Sequence, residues 1–171
     1  MIIAIADQLC VHGKRIAAHL AALRAGGGHS VLTMDAGRAP GLGDEIARQR
    51  PRYHDIVIDT DGADSADSRA ALAAARLAIV PVEVGQADLV ANYKLIAHLN
   101  AARMFNPGLH VLFVAIGGAA DPTPAQHSAL RRFVGHVMSA TLSRTVVHDS
   151  GALPAALDIE MHALYREVFA T

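Results

Sequence analysis

Met1-Ile2-Ile3-Ala4-Ile5-Ala6 runs without a polar residue into Asp7 to Gly13; Lys14 to Ala25 then carries Ile16, Leu20 and Leu23 at helical spacing, before Gly26-Gly27-Gly28. A short unbroken apolar run reads as a strand buried on both faces. Apolar residues three and four apart mark one face of a helix, and a run of glycines stops it. The chain therefore opens as strand, loop and helix, with the strand central in its sheet.

The same alternation continues outward. Strands are expected over Ser30 to Met34, Asp55 to Asp59, Leu77 to Val84, Leu109 to Ile116 and Ser143 to Val147. Pro81 is awkward inside the fourth strand, because it has no N–H to donate. Between the strands lie a short helix closed by Pro51, a helix from Arg69 to Ala75 and a long helix from Gln86 to Phe105. The long helix would put Leu89, Tyr93, Ile96 and Leu99 on one stripe. Helices over Ala125 to Ser139 and Asp158 to Ala170 complete the pattern. It predicts one doubly wound α/β domain over residues 1–171: a single, mainly parallel sheet with helices on both faces and right-handed crossovers.

Composition agrees. A chain of 171 residues suits one domain, and 52% hydrophobic with only 4% aromatic residues means a core of Ala, Val, Leu and Ile. The formal net charge of −1 gives no overall electrostatic footprint for nucleic acid. One cysteine, Cys10, excludes an intramolecular disulfide and fits a reducing, cytoplasmic setting. The apolar start is too short for a signal peptide, and no run reaches the roughly 18 apolar residues of a membrane span, so no membrane association is expected.

In an open α/β sheet the site lies at the carboxyl ends of the strands, here Gln8 to Arg15, Asp35 to Gly37 and Asp59 to Gly62. Gln8-Leu9-Cys10-Val11-His12-Gly13-Lys14-Arg15 places Gly-Lys at the start of a helix, where backbone N–H groups and an ammonium hold phosphate. The full motif also has a Gly five positions earlier and a Ser or Thr after the Lys. Gln8 and Arg15 stand there. Lys14 and Arg15 thus read either as phosphate contacts or as solvated first-turn residues. Asp35 and Asp59 read as metal ligands, helix caps or ion-pair partners of Lys14. Asp61, Asp64 and Asp67 read as a cation site or as a solvated turn, the latter because Asp bonds nearby backbone. The ten histidines form no convincing ligand pair, and no metal site is expected. Arg103, Arg131, Arg132 and Arg144 are either a charged helix face or a surface for non-specific DNA binding.

The order of apolar strand, Gly13-Lys14, Ala-rich helix, Val31-Leu32-Thr33-Met34-Asp35 and Tyr53-His54-Asp55-Ile56-Val57-Ile58-Asp59-Thr60 resembles the ParA/MinD family of deviant P-loop ATPases. Ala75-Arg76-Leu77-Ala78-Ile79-Val80-Pro81-Val82 looks like the family's strand ending in Pro-Val. Thr145-Val146-Val147-His148 falls near its adenine-contacting backbone. The resemblance covers nearly the whole chain and is nearest to the small plasmid-partition members. It implies a P-loop NTPase-like fold, ATP or ADP held by Gly13, Lys14, Arg15, Asp35 and Asp59, a homodimer, and a partner protein or cargo adaptor.

The departures fall on the catalytic positions. Leu9 stands where the family has its cross-dimer lysine, and Cys10 and Val11 stand where it has glycines. Arg15 replaces the magnesium-binding Thr, and Gly37 replaces the Asp that positions water. Phosphoryl transfer is mostly positioning and electrostatics, so these losses imply little or no hydrolysis, weak nucleotide binding and no magnesium. Three readings follow: a pseudo-ATPase of partition or positioning type, a slow ATPase that switches between monomer and dimer, and a ligand-free interaction subunit of a cargo or secretion system.

Overall fold

The computed structural model describes residues 1–7, 12–36, 41–60, 63–118, 120–148 and 154–169. The elements are β1 (Ile2–Ala6), α1 (His12–Gly26), β2 (Val31–Asp35), α2 (Leu42–Gln49), β3 (Asp55–Thr60) and α3 (Ala66–Ala74). They continue as β4 (Leu77–Glu83), α4 (Tyr93–Phe105), β5 (His110–Gly117), α5 (Pro124–Val134), β6 (Ala140–His148) and α6 (Pro154–Phe169). All strand pairs are parallel, in the order β2-β3-β1-β4-β5-β6. The expected doubly wound sheet is the one the chain forms, with β1 central.

Every residue of β1 is buried, as its apolar run demands. Ile2, Ala4 and Ala6 pack with Leu42, Leu72, Leu99 and Phe133 from α2, α3, α4 and α5. Ile3 and Ile5 pack with Ile16 and Leu20 of α1 and Met161 and Leu164 of α6. Helices therefore cover both faces. The order also makes β1 the switch point, flanked by β3 on one side and β4 on the other, where such sheets open a crevice.

Pro81 sits inside β4 without cost. Pairing of β4 with β1 ends at Ile79, and Val84 sends its N–H to Ile116 O of β5. Alternation along the strand turns the N side of Pro81 toward β1, past the last paired residue, so no ladder bond is lost.

The long helix from Gln86 is corrected: α4 starts at Tyr93. Asp88 accepts from the N–H groups of Val90 and Ala91 at 2.8 and 2.9 Å, and the Asn92 amide donates to the carbonyls of Gln86 and Asp88. These side chains offer the backbone a turn in place of a helix. The stripe is corrected too, since Leu95, His98 and Leu99 are buried while Leu89 and Tyr93 are exposed. α3 begins earlier than expected, where Ser65 accepts from Ser68 N–H. α5 begins at Pro124 with a capping box between Thr123 and Gln126, and stops at Gly135 instead of Ser139. β6 is longer than expected. Phe113 faces Leu142 and Ala115 faces Val146, so two residues of β5 span four of β6. α6 gains an extra turn from Pro154.

Candidate functional site

The sheet register brings the acidic residues to one edge. Asp35 is level with Asp59, and Asp59 with Ile5, so the ends of β2, β3 and β1 lie side by side. One residue past β1 is Asp7, only 3% exposed. Its Oδ2 accepts the N–H of His12 at 2.9 Å and of Gly13 at 2.7 Å. These are the first amides of α1, whose N–H groups and dipole would otherwise receive an anionic ligand. Asp7 therefore supplies the anion from within the chain.

Gly13 is fixed by this contact. A Cβ there would lie 2.8 Å from Asp7 Cβ and 2.9 Å from Asp59 Oδ1, closer than any side chain tolerates. The glycine lets the helix end approach two carboxylates.

Lys14 and Arg15 diverge. Lys14 Nζ lies 3.8 Å from Asp35 Oδ2 with its side chain 61% exposed, an ion pair of the kind the sequence allowed. Arg15 Nη2 instead donates to the carbonyl of His148 at 3.4 Å, beside β6. The His148 N–H donates to Glu160 at 2.9 Å, and its ring lies 2.7 Å from the same carboxylate. Both backbone groups of His148, on the stretch compared with an adenine contact, are thus engaged inside the protein. On the β4 side of β1, Asp7, His12, Glu83, Gln86 and Asn92 line a cavity of about 240 Å³, with His12 Nε2 3.7 Å from Glu83.

Two of the amides that a phosphate would use at this helix end are engaged. The His12 and Gly13 amides already hold a carboxylate, and a phosphate brought to them would meet its negative charge in a buried place. Of the five residues expected to bind nucleotide, Gly13, Lys14, Asp35 and Asp59 lie together, and Arg15 turns toward β6. Leu9 and Gly37, with Gln8, Cys10, Val11 and Asp61, lie outside the described residues. Among those described, no group of three His, Cys, Asp or Glu side chains is placed to hold a metal ion. Asp7 was missed from sequence, although an acid directly after the first strand was the signal.

Asp64 and Asp67 are tied within the chain. Asp64 takes a bidentate bond from Arg69 at 2.6 and 2.9 Å and lies 2.9 Å from His98 Nδ1. The Arg69 hydrogen bond holds its carboxyl below the usual carboxylate range, against a smaller opposing effect of desolvation. On its other side the His98 ring is 3.1 Å from Ser68 Oγ, which is fully buried and so unavailable as a nucleophile. Asp67 Oδ1 accepts from Leu42 N–H at 3.4 Å. Arg131 and Arg132 are exposed in the last turn of α5, Arg144 is exposed on the edge strand β6, and Arg103 binds the carbonyl of Leu109 and the Ser139 hydroxyl. Between α3 and α4, Ala73, Tyr93, Ala97, Ala101 and Phe105 line an apolar groove of about 740 Å³. No helix among the described residues is long and apolar enough to cross a membrane.

No protein-family model and no curated protein matches the chain. Solved structures do. Cobyrinic acid a,c-diamide synthase from Mycobacterium smegmatis, with bound ADP and magnesium, superposes with a TM-score of 0.71 at 13% identity, over 99% of this chain and 96% of that one. A plasmid partition protein from Borrelia burgdorferi gives 0.65 at 15% identity, over 99% and 97%. The MinD cell division protein of Aquifex aeolicus gives 0.62 at 12%, over 99% and 97%. The chain has the P-loop NTPase-like fold. That fold is shared over nearly the full length of each neighbour. Two of the synthase structures of this fold contain magnesium with ADP or an ATP analogue, so the expectation of no magnesium finds no support in them.

Proposed function

We propose that this chain is a positioning or partition protein of ParA/MinD type that has kept the fold and given up nucleotide hydrolysis. The observation that carries the reading is the Asp7 carboxylate on the amides of His12 and Gly13. Arg15 in place of a magnesium-binding Thr and Gly37 in place of the water-positioning Asp support it from sequence. So does the engagement of both backbone groups of His148. Structural neighbours that are a partition protein and a cell division protein support the general kind of role.

The protein would act through its surfaces, as a homodimer that binds a partner protein or cargo adaptor. Exposed Leu89, Val90, Tyr93, Met104 and Phe105, on α4 or the turn before it, support a macromolecular partner. A dimer with Leu9 in place of the bridging lysine rests on protein contacts alone. Purified protein should therefore show no magnesium-dependent ATP turnover, and its mass by light scattering should be the same with and without ATP. ATP-driven dimerisation with turnover would overturn the reading.

The second reading is a slow ATPase that switches between monomer and dimer. Lys14, exposed and only 3.8 Å from Asp35, favours it, as do the neighbours crystallised with nucleotide and magnesium.

A further inference from the structure

At the opposite edge of the sheet, below the amino ends of β1, β3 and β4, the chain forms a broad concavity of about 870 Å³. Arg24, Arg50 and Arg76 line it, with the rings of His29, Tyr53 and His54, and Asp55 is the only acid among the described residues that line it. Asp55 is spent locally. It accepts from Arg24 Nε at 2.7 Å and from the Met1 amino group at 3.0 Å, and the Arg24 guanidinium lies over the Phe169 ring at 4.6 Å. Arg50 and Arg76 are exposed, and among the described residues no hydrogen bond or ion pair ties either side chain.

Two arginines without a described partner in the lining of one hollow stand out in a chain of net charge −1. Each has a local reason to be cationic, since Arg50 caps α2 and Arg76 lies just after α3, where helix dipoles are negative. That explains their charge and leaves unexplained why both line the same hollow. A guanidinium presents a planar fork of donors matched to phosphate oxygens, and two of them at a concave, aromatic-flanked site select a ligand with more than one phosphate charge.

We propose that this concavity binds a pyrophosphate group, free or as the phosphate tail of a nucleotide, through Arg50 and Arg76. The site is separate from the α1 amino end and independent of what happens there. The test is calorimetric titration of the full chain with pyrophosphate and with ADP, at low and physiological salt. It is repeated with the double variant Arg50→Ala/Arg76→Ala and with Lys14→Ala. The double variant removes only exposed side chains, and circular dichroism checks its fold.

Binding that weakens at least tenfold in the double variant, is untouched by Lys14→Ala and falls with salt supports the proposal. Tighter binding of ADP than of pyrophosphate assigns the site to nucleotides, and equal binding assigns it to free phosphates. No heat with either ligand at millimolar concentration overturns it. So does binding that Lys14→Ala abolishes while the arginine pair does not.

Discussion

Asp7 Oδ2 accepts the N–H of Gly13 at 2.7 Å, and the same oxygen accepts that of His12 at 2.9 Å. One buried carboxylate thus satisfies two of the open donors at the amino end of α1. In a phosphate-binding loop those donors wait for a ligand. Here they are spent on folding, and the contact dictates a glycine at position 13.

Gly13→Ala should accordingly destabilise the fold. Its new Cβ would press on Asp7 and Asp59, and overpacking of this kind costs roughly 1–3 kcal/mol. Denaturant unfolding measures it. An unchanged midpoint would mean that the helix end does not approach the carboxylates so closely.

Restoring the family residues in the loop should not restore activity. A chain carrying Leu9→Lys and Arg15→Thr keeps Asp7 on the amides and Gly37 without its carboxylate. Steady-state assays with ATP and magnesium should find no turnover above the unsubstituted chain. Family-like turnover in this revertant would show that the loop cations alone were limiting.

The corrected phase of α4 makes a sharper comparison than its boundary. Leu99 is fully buried and Tyr93 is 70% exposed, so Leu99→Ala should cost about 2–5 kcal/mol and Tyr93→Ala under about 0.5 kcal/mol. Equal losses in urea unfolding would restore the stripe read from the sequence.

Acid should strip one specific contribution. Burial pushes the Asp55 carboxyl up, but the bonds from Arg24 and the Met1 amino group outweigh it and leave the group below its usual value. A carboxyl with a lowered folded value contributes stability above its unfolded pKa of about 4, lost as pH falls through the folded value. Asp55→Asn should lower the melting temperature at pH 7, and the gap to the unsubstituted chain should narrow below about pH 4. A gap constant from pH 7 to pH 3 would remove Asp55 from the acid response.

The fold was legible because its signals were continuous. Ile2 to Ala6, Ile56 to Ile58 and Val111 to Ile116 are buried runs whose length and flanks admit only strands, whereas the order of the sheet, with β3 between β1 and β2, is not written in the connections. What escaped notice depends on one side chain answering another. Asp88 turns the backbone before α4, the slack in β6 appears only against β5, and Thr123 starts α5 through a box that Thr-Pro-Ala-Gln did announce. At the candidate site, Gly13, Lys14, Asp35 and Asp59 could be singled out because a motif names their positions. Asp7 belongs to no motif. Its role exists only once the chain has folded back over it, as does the hollow between Arg50 and Arg76.

The most direct test is calorimetric titration with ATP, with and without magnesium, of the unsubstituted chain, Asp7→Ala and Asp7→Ala/Lys14→Ala. The account predicts no magnesium-dependent heat from the unsubstituted chain. It also predicts at least about tenfold tighter ATP binding by Asp7→Ala, or roughly 1.4 kcal/mol, with that gain lost when Lys14 is also removed. Magnesium-dependent micromolar binding by the unsubstituted chain, abolished by Lys14→Ala, would contradict it and make the protein a working nucleotide switch.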